Sequence, residues 1–350
     1  MTKKKPKGRF WSLPVLNSRT SREKVTLPEM IFGYFLGPLL VLAMTSVVST
    51  YYLTFYRTYD DVVAQGRFLV LLPLISVIPM ALANIAVGIL LGKTKTRQGK
   101  ARPFILAAGP LLLVSGTVMF VIPYFSLGFR MVWMAVTYNL FAALANPVYA
   151  NSHYLMVSLS TRDLDQRGKL SVVANIPAVA GNGLVPAVLS WIKSGETIGM
   201  EMGVGQQIVQ NRWQAVMMLF AVAAFVGCLL EYLFTRERIT EEDIGEQDTE
   251  NRSEIIPTGR QLKAAASDRY WWIIMIFYFL YQAGVMFKGG YVFNIFCNDF
   301  FPSVTVFGQN LNAEGVQSLM ALIGGIPLAA GMLFAWPVAN RIGKRNFVLL

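Results

Sequence analysis

The chain has 350 residues, 54% of them hydrophobic and 15% charged, with a formal net charge of +11. A soluble domain carries about 25% charged residues, so a soluble multi-domain protein is excluded from the start. A basic excess of this size points to nucleic acid or to an anionic membrane surface, and the placement of the charges decides between them.

The first 27 residues hold eight Lys and Arg side chains, and they lack the short apolar core and small-residue cleavage site of a secretory signal. Eight apolar runs then follow, at 28–54, 68–92, 103–127, 131–158, 170–192, 213–235, 271–297 and 316–340. Each approaches or exceeds the roughly 20 residues that a helix needs to cross a bilayer. A ninth run opens at Phe347, so the sequence is expected to be part of a longer protein. With a cytoplasmic N-terminus and alternating spans, 25 of the 31 basic residues fall inside and 5 outside, and Lys288 lies within a span. This asymmetry fixes the orientation, accounts for the net charge and removes the support for a nucleic-acid partner. Cys228 and Cys297 lie in spans 6 and 7 towards opposite faces, which gives neither a disulfide framework nor a metal site.

Span 2 ends in Gly88-x3-Gly92-Lys93, followed by a basic turn with Lys93, Arg97, Gly99, Lys100 and Arg102. Span 8 ends in an equivalent turn with Arg341, Gly343, Lys344 and Arg345. The two glycines suit a turn with positive φ. The cations suit the carbonyl ends of the helices they follow. A repeat six spans apart implies a duplicated six-helix bundle. Between the halves lies a polar stretch, 236–269, whose first part reads as a flexible cytoplasmic linker. Its end, "GRQLKAAASDRYWW", reads as an interfacial helix that leads into span 7, with Trp271 and Trp272 at headgroup level. The domain plan is therefore a basic N-terminus (1–27), a six-helix bundle (28–235), a linker (236–270) and the beginning of a second bundle (271–350).

These turns resemble those of the major facilitator superfamily. More narrowly, T-x-[ST]-R-x-G-K-x-R-P, from Thr94 to Pro103, is similar to the glycoside–pentoside–hexuronide:cation symporters, the melibiose-carrier family. "VSTYYLTFY" (48–56), "SLSTRDLDQRGKLS" (158–171) and "FKGGYVFNIF" (287–296) resemble further stretches of that family. The resemblance implies an all-α polytopic membrane bundle, twelve spans in all, and alternating access with the basic turns as the conformational gate. It also implies acidic cation-site positions on span 2. Counting from the turn, those positions hold Asn84 and Met80; the acidic position on span 4 falls near Ala150 and the arginine of span 5 near Asn175. An amide can coordinate Na⁺ but cannot titrate. Coupling through the usual N-terminal carboxylates is therefore not expected, which leaves the later helices or facilitated diffusion.

Within the spans, Asp and Glu are confined to the ends: Glu29 and Glu231 sit near the cytoplasmic surface, where water is expected to reach them. Asn139, Asn146 and His153 recur every seven residues on span 4, about 20° apart on an ideal helix, with Tyr149 close to the same face. Asn175 and Asn182 on span 5 and Gln282 and Lys288 on span 7 extend the polar set. Trp133, with Tyr34, Tyr149 and Tyr154, offers aromatic platforms. Amides and aromatic faces suit a polyhydroxylated ligand, while an intramembrane Lys288 suits an anionic group, as in a uronide. The expected function is a monomeric secondary carrier in the plasma (inner) membrane for a sugar, glycoside or uronide. No cofactor is required beyond Na⁺ or a proton as coupling ion, and no enzymatic activity is expected. A lipid, amphiphile or drug carrier of the same fold, and a transporter-like protein that does not transport, are the alternatives. ATP is not the energy source, because Gly88 to Thr94 is one residue short of a phosphate-binding loop and follows no strand.

Overall fold

A computed structural model describes residues 24–63, 66–94, 96, 98–178, 205–239 and 258–288, then 296–297, 299–306, 309–312 and isolated positions from 316 to 343. The chain divides into two compact units, Met1–Arg238 with Ser318–Leu350, and Ile239–Gln317.

In the first unit, five helices among the described residues are long and apolar enough to cross a membrane. They are α1 (Glu29–Tyr56), α2 (Gly66–Lys93), α3 (Arg102–Met119), α4 (Leu127–Leu159) and, after α5 (164–178), α6 (Gly205–Phe234). They match the first four and the sixth predicted spans. Residues 164–178 form α5; the rest of the fifth span, with Asn182, lies outside the described residues. Along α2, Val70, Leu71, Leu74, Ile78, Leu82 and Ile85 stay uncovered. Apolar surface of this extent marks lipid or protein contact rather than water, as in a multi-pass membrane protein.

Helix α6 packs along both α1 and α3. Small residues allow the close approach on which helix packing in lipid depends. A Cβ on Gly227 would lie 2.5 Å from the Gly37 carbonyl oxygen, so α1 and α6 touch backbone to backbone there. Away from the basic loops, aromatic rings fill the core: Tyr52 stacks on Tyr138 at 4.6 Å, and Phe55, Phe120 and Trp213 are buried against one another.

Two π-helical turns, Glu29–Leu36 in α1 and Leu140–Ala145 in α4, run directly into Gly37-Pro38 and Asn146-Pro147. The Gly37 N–H donates to the Phe32 carbonyl and the Asn146 N–H to that of Phe141, five residues back in each case. A proline inside a helix brings no N–H and crowds the carbonyl four residues earlier. A widened turn precedes the proline in these two helices, whereas Pro73 and Pro79 in α2 and Pro110 in α3 lie in regular α-helix. Each residue added by such a turn rotates everything beyond it by about 100°, which decides which side chains share a face.

In the second unit, α7 (Thr258–Ser267) leads into α8 (Arg269–Lys288) as the sequence predicts. Asp268 Oδ1 accepts the Tyr270 N–H at 2.8 Å, and Trp272 Nε1 donates to the Ala266 carbonyl at 2.8 Å. An antiparallel hairpin, β1 (Ser303–Val306) with β2 (Gln309–Asn312), follows in register Ser303 to Asn312. The all-helical reading did not include it; β-branched Val304, Thr305 and Val306 suit a strand. Every described position from 316 to 342 is helical, in keeping with the eighth span. Gly99 has φ +99° and Gly343 φ +87°, so both basic turns use the left-handed conformation expected of them.

Candidate functional site

The ends of α1, α3, α4 and α6 that carry the basic turns converge on three carboxylates. Glu237, just beyond α6, is 2% exposed. Its oxygens accept the backbone N–H groups of Lys100 at 2.9 Å, Ala101 at 2.8 Å and Arg102 at 3.4 Å. Ala101 and Arg102, the cap and first residue of α3, carry donors that an α-helix leaves unsatisfied at its start, where the helix dipole also favours an anion. The turn meets this carboxylate because Gly99 has no side chain: a Cβ there would overlap the Glu237 carboxyl group. The Arg102 side chain is fully buried, donates to the Tyr232 carbonyl at 2.8 Å and lies over the Tyr232 ring at 4.6 Å.

Glu29, opening α1, pairs with Arg238 at 2.8 Å, and Arg238 also donates to the Ser160 and Lys24 carbonyls. Tyr34 and Ser160 share a short hydrogen bond between α1 and the end of α4. Gln166 Oε1 accepts the Val25 N–H, and Arg167 donates to the Thr161 carbonyl. Glu237 and Arg238, expected in a flexible linker, are thus packed into the first unit. Their side chains find a helix start and a carboxylate that no hydropathy profile shows.

Beneath this layer lies the third carboxylate. Glu231 is fully buried. It accepts the Tyr149 hydroxyl at 2.8 Å on Oε2 and meets His153 Nδ1 at 2.7 Å on Oε1. The two rings stack at 5.6 Å and 12°. The expectation that interfacial water hydrates Glu231 is therefore corrected. The residue is one turn from the end of α6, but the Glu29–Arg238 and Tyr34–Ser160 contacts cover that end.

The seven-residue stripe on α4 is also corrected. Asn139 donates to Ser76 Oγ on α2 at 3.0 Å, while Tyr149 and His153 face α6. The π turn between them offsets the two halves of the helix, so spacing that aligns on an ideal helix does not align here. Asn146 is half-buried, directly after that turn. Asn84 is exposed on α2, where its Oδ1 accepts the Asn151 amide at 3.0 Å. Ser76, Asn84, Asn139 and Asn151 therefore form a polar seam between α2 and α4, and Asn139 Oδ1 is buried with no partner among the described residues. Trp133 donates its indole N–H to the Val121 carbonyl at 2.9 Å and stacks on Phe129, so its polar edge is already engaged. Exposed Asn175 donates to the Ser171 carbonyl of its own helix. Gln282 is exposed on α8; Lys288 ends that helix, and its side chain lies outside the described residues. Lys93, Arg341 and Gly343 are exposed, whereas Arg97, Lys344 and Arg345 lie outside the described residues.

Sequence reading set Glu231 aside as hydrated and did not single out Glu237, Ser76 or Asn151. The available signal for Glu231 was the chain's single histidine, which lies like Glu231 in the cytoplasmic part of its span.

Residues 33–350 match the family described as MFS/sugar transport protein. The chain belongs to that family. It is a transport family and not an enzyme family. Among curated relatives, the chain is 26% identical over 320 residues to an isoprimeverose transporter of Lactiplantibacillus pentosus, covering 91% of this chain and 60% of the relative. It is 24% identical over 349 residues to an uncharacterised symporter, YnaJ, of Bacillus subtilis, covering 94% of this chain and 65% of the relative. The chain thus spans less than two thirds of the length of both.

Proposed function

We propose that the chain is the larger part of a sugar carrier that works by alternating access, coupled to a cation, in the plasma membrane with its N-terminus in the cytoplasm. The match to a sugar transport family over residues 33–350 carries this reading. The amide seam of Asn84, Asn139 and Asn151 supports it, because sugar hydroxyls both donate to and accept from amides. The substrate class is a glycoside, with isoprimeverose the first candidate from the relative's name. Lys288 is the contact for a carboxylate in a uronide, since an ammonium within a span calls for a partner. The basic turns gate the transition by holding or releasing the helix ends they join.

The full-length protein in proteoliposomes is expected to take up labelled isoprimeverose or a related glycoside, with saturation and with competition by unlabelled sugar. Uptake of lysolipid but of no sugar would replace this reading with that of an amphiphile carrier. Orientation has its own test. A Gln98→Cys variant is expected to react with an impermeant maleimide only after right-side-out vesicles are opened, against a low background from buried Cys228 and Cys297. Reaction in sealed vesicles would invert the topology.

A further inference from the structure

The carboxylates at the basic end differ in their partners. Glu29 is matched by Arg238, a permanent cation. Glu237 is matched by three backbone N–H groups at the start of α3, with the buried Arg102 guanidinium adjoining. Glu231 is matched by His153, the one histidine in the sequence, and by the Tyr149 hydroxyl. Histidine is the side chain whose charge ordinarily changes between about pH 5 and 8. Its other nitrogen, Nε2, is buried with no hydrogen-bond partner among the described residues.

The groups that surround the pair leave this assignment intact. From α1 comes Tyr34, bonded to Ser160, with Glu29 one layer out and held by Arg238. From α3 comes Arg102, turned to the Tyr232 carbonyl and ring. From α6 itself come the Cys228 thiol and Tyr232, and from α4 the Tyr154 ring at 5.5 Å from His153. None of these exchanges a proton with solvent near neutral pH as readily as an imidazole does. With His153 neutral and donating from Nδ1, the cluster carries the buried charge of Glu231. A proton added at Nε2 makes an imidazolium–carboxylate pair of zero net charge. Burial disfavours uncompensated charge, so uptake of one proton neutralises the layer that joins α4 to α6.

We propose that the His153–Glu231 pair, closed by Tyr149, is the binding site for the transported proton, so that the coupling ion of this carrier is H⁺. This rests on the carrier reading above, and it places coupling on α4 and α6 rather than at Asn84 on α2. Nothing is oxidised or reduced: one proton binds at Nε2 from one side of the membrane and leaves to the other as the helices move.

Two measurements on the full-length protein test the proposal. In the first, protein with ¹⁵N-histidine incorporated is titrated from about pH 5 to 9 and the imidazole signal of His153 is followed. The signal is expected to pass between its neutral and protonated forms, and Glu231→Gln is expected to change the balance between them, because the carboxylate is the hydrogen-bond partner of Nδ1. An imidazole that keeps one state throughout in the wild-type protein overturns the proton site whether or not sugar moves, and needs no variant to fold. In the second, isoprimeverose is added to wild-type proteoliposomes with a pH electrode outside. Sugar entry is expected to make the external medium more alkaline, and Glu231→Gln is expected to flatten the pH dependence of the uptake KM. Sugar entry without proton movement overturns H⁺ coupling while leaving the carrier intact. Failure of the wild type to move any sugar overturns the carrier reading and the coupling role with it.

Discussion

Glu237→Ala is expected to lower the unfolding midpoint of the detergent-purified protein by about 6 °C or more. The carboxylate is almost wholly buried and accepts three N–H groups at the start of α3. Truncation leaves those donors and the adjoining buried Arg102 without the anion that balances them. Removing one partner from a buried charge arrangement costs about 3–5 kcal/mol, and a domain of this size shifts by about 2–4 °C per kcal/mol. Glu237→Gln keeps one acceptor oxygen and is expected to fall between. Gly99→Ala should be destabilising for two separable reasons. Its φ of +99° is unfavourable for any side chain, and its Cβ would overlap the Glu237 carboxyl group. The second cost disappears when Glu237 is alanine, so the two substitutions together should cost less than the sum of each alone. If Glu237→Ala unfolds within about 2 °C of the wild type, the carboxylate does not hold this turn, and the turn's part in any gate loses its physical basis.

The sequence made the architecture legible because lipid imposes a crude rule: a long apolar run crosses, and a cluster of cations stays behind. The helices α1 to α4 and α6 fall where that rule puts them, and Gly99 and Gly343 adopt the backbone their turns demand. The site was less legible, for two physical reasons. Depth was judged from distance along a helix, which treated Glu231 as interfacial because it is one turn from the end of α6. What sets its environment is the layer above it, made by Glu29, Arg238, Tyr34 and Ser160 from three other segments. Facing was judged from an ideal 3.6-residue period, which put Asn139 and His153 on one stripe. Pro147 was visible, but not the π turn that precedes it, and one added residue separates a face towards α2 from a face towards α6. The β hairpin at 303–312 eluded a reading tuned to long apolar runs for the same reason: its pairing is decided by two four-residue strands.

Gly227→Val is expected to prevent recovery of monodisperse protein, while Gly88→Ala and Gly92→Ala leave the unfolding midpoint unchanged or slightly raised. All are glycines in membrane helices, and the sequence drew more attention to the second pair. The difference lies in what a side chain would meet. At Gly88 and Gly92 there is nothing within 4 Å among the described residues, and alanine is the better helix former by about 0.8–1.0 kcal/mol. At Gly227 a Cβ would sit 2.5 Å from the Gly37 carbonyl oxygen, 3.0 Å from Leu40 Cβ and 3.1 Å from Val41 Cγ2. The first obstacle is backbone and cannot rotate away, so α1 and α6 must separate. Overpacking in a core that can adjust costs about 1–3 kcal/mol, and a contact that cannot adjust costs more. In lipid there is no apolar driving force to draw helices back together, and close packing supplies much of the association. Separation would also disturb the layer above: a Cβ on Gly37 would lie 3.1 Å from the Glu231 backbone nitrogen, so the spacing of α1 from α6 sets the position of the buried carboxylate. Gly227→Ala therefore should fold with a lowered midpoint and a weakened pH dependence of the uptake KM, which links the packing to the proposed proton site. A Gly227→Val protein that elutes as a single species with the wild-type midpoint would show that the α1–α6 approach is not needed to hold the bundle.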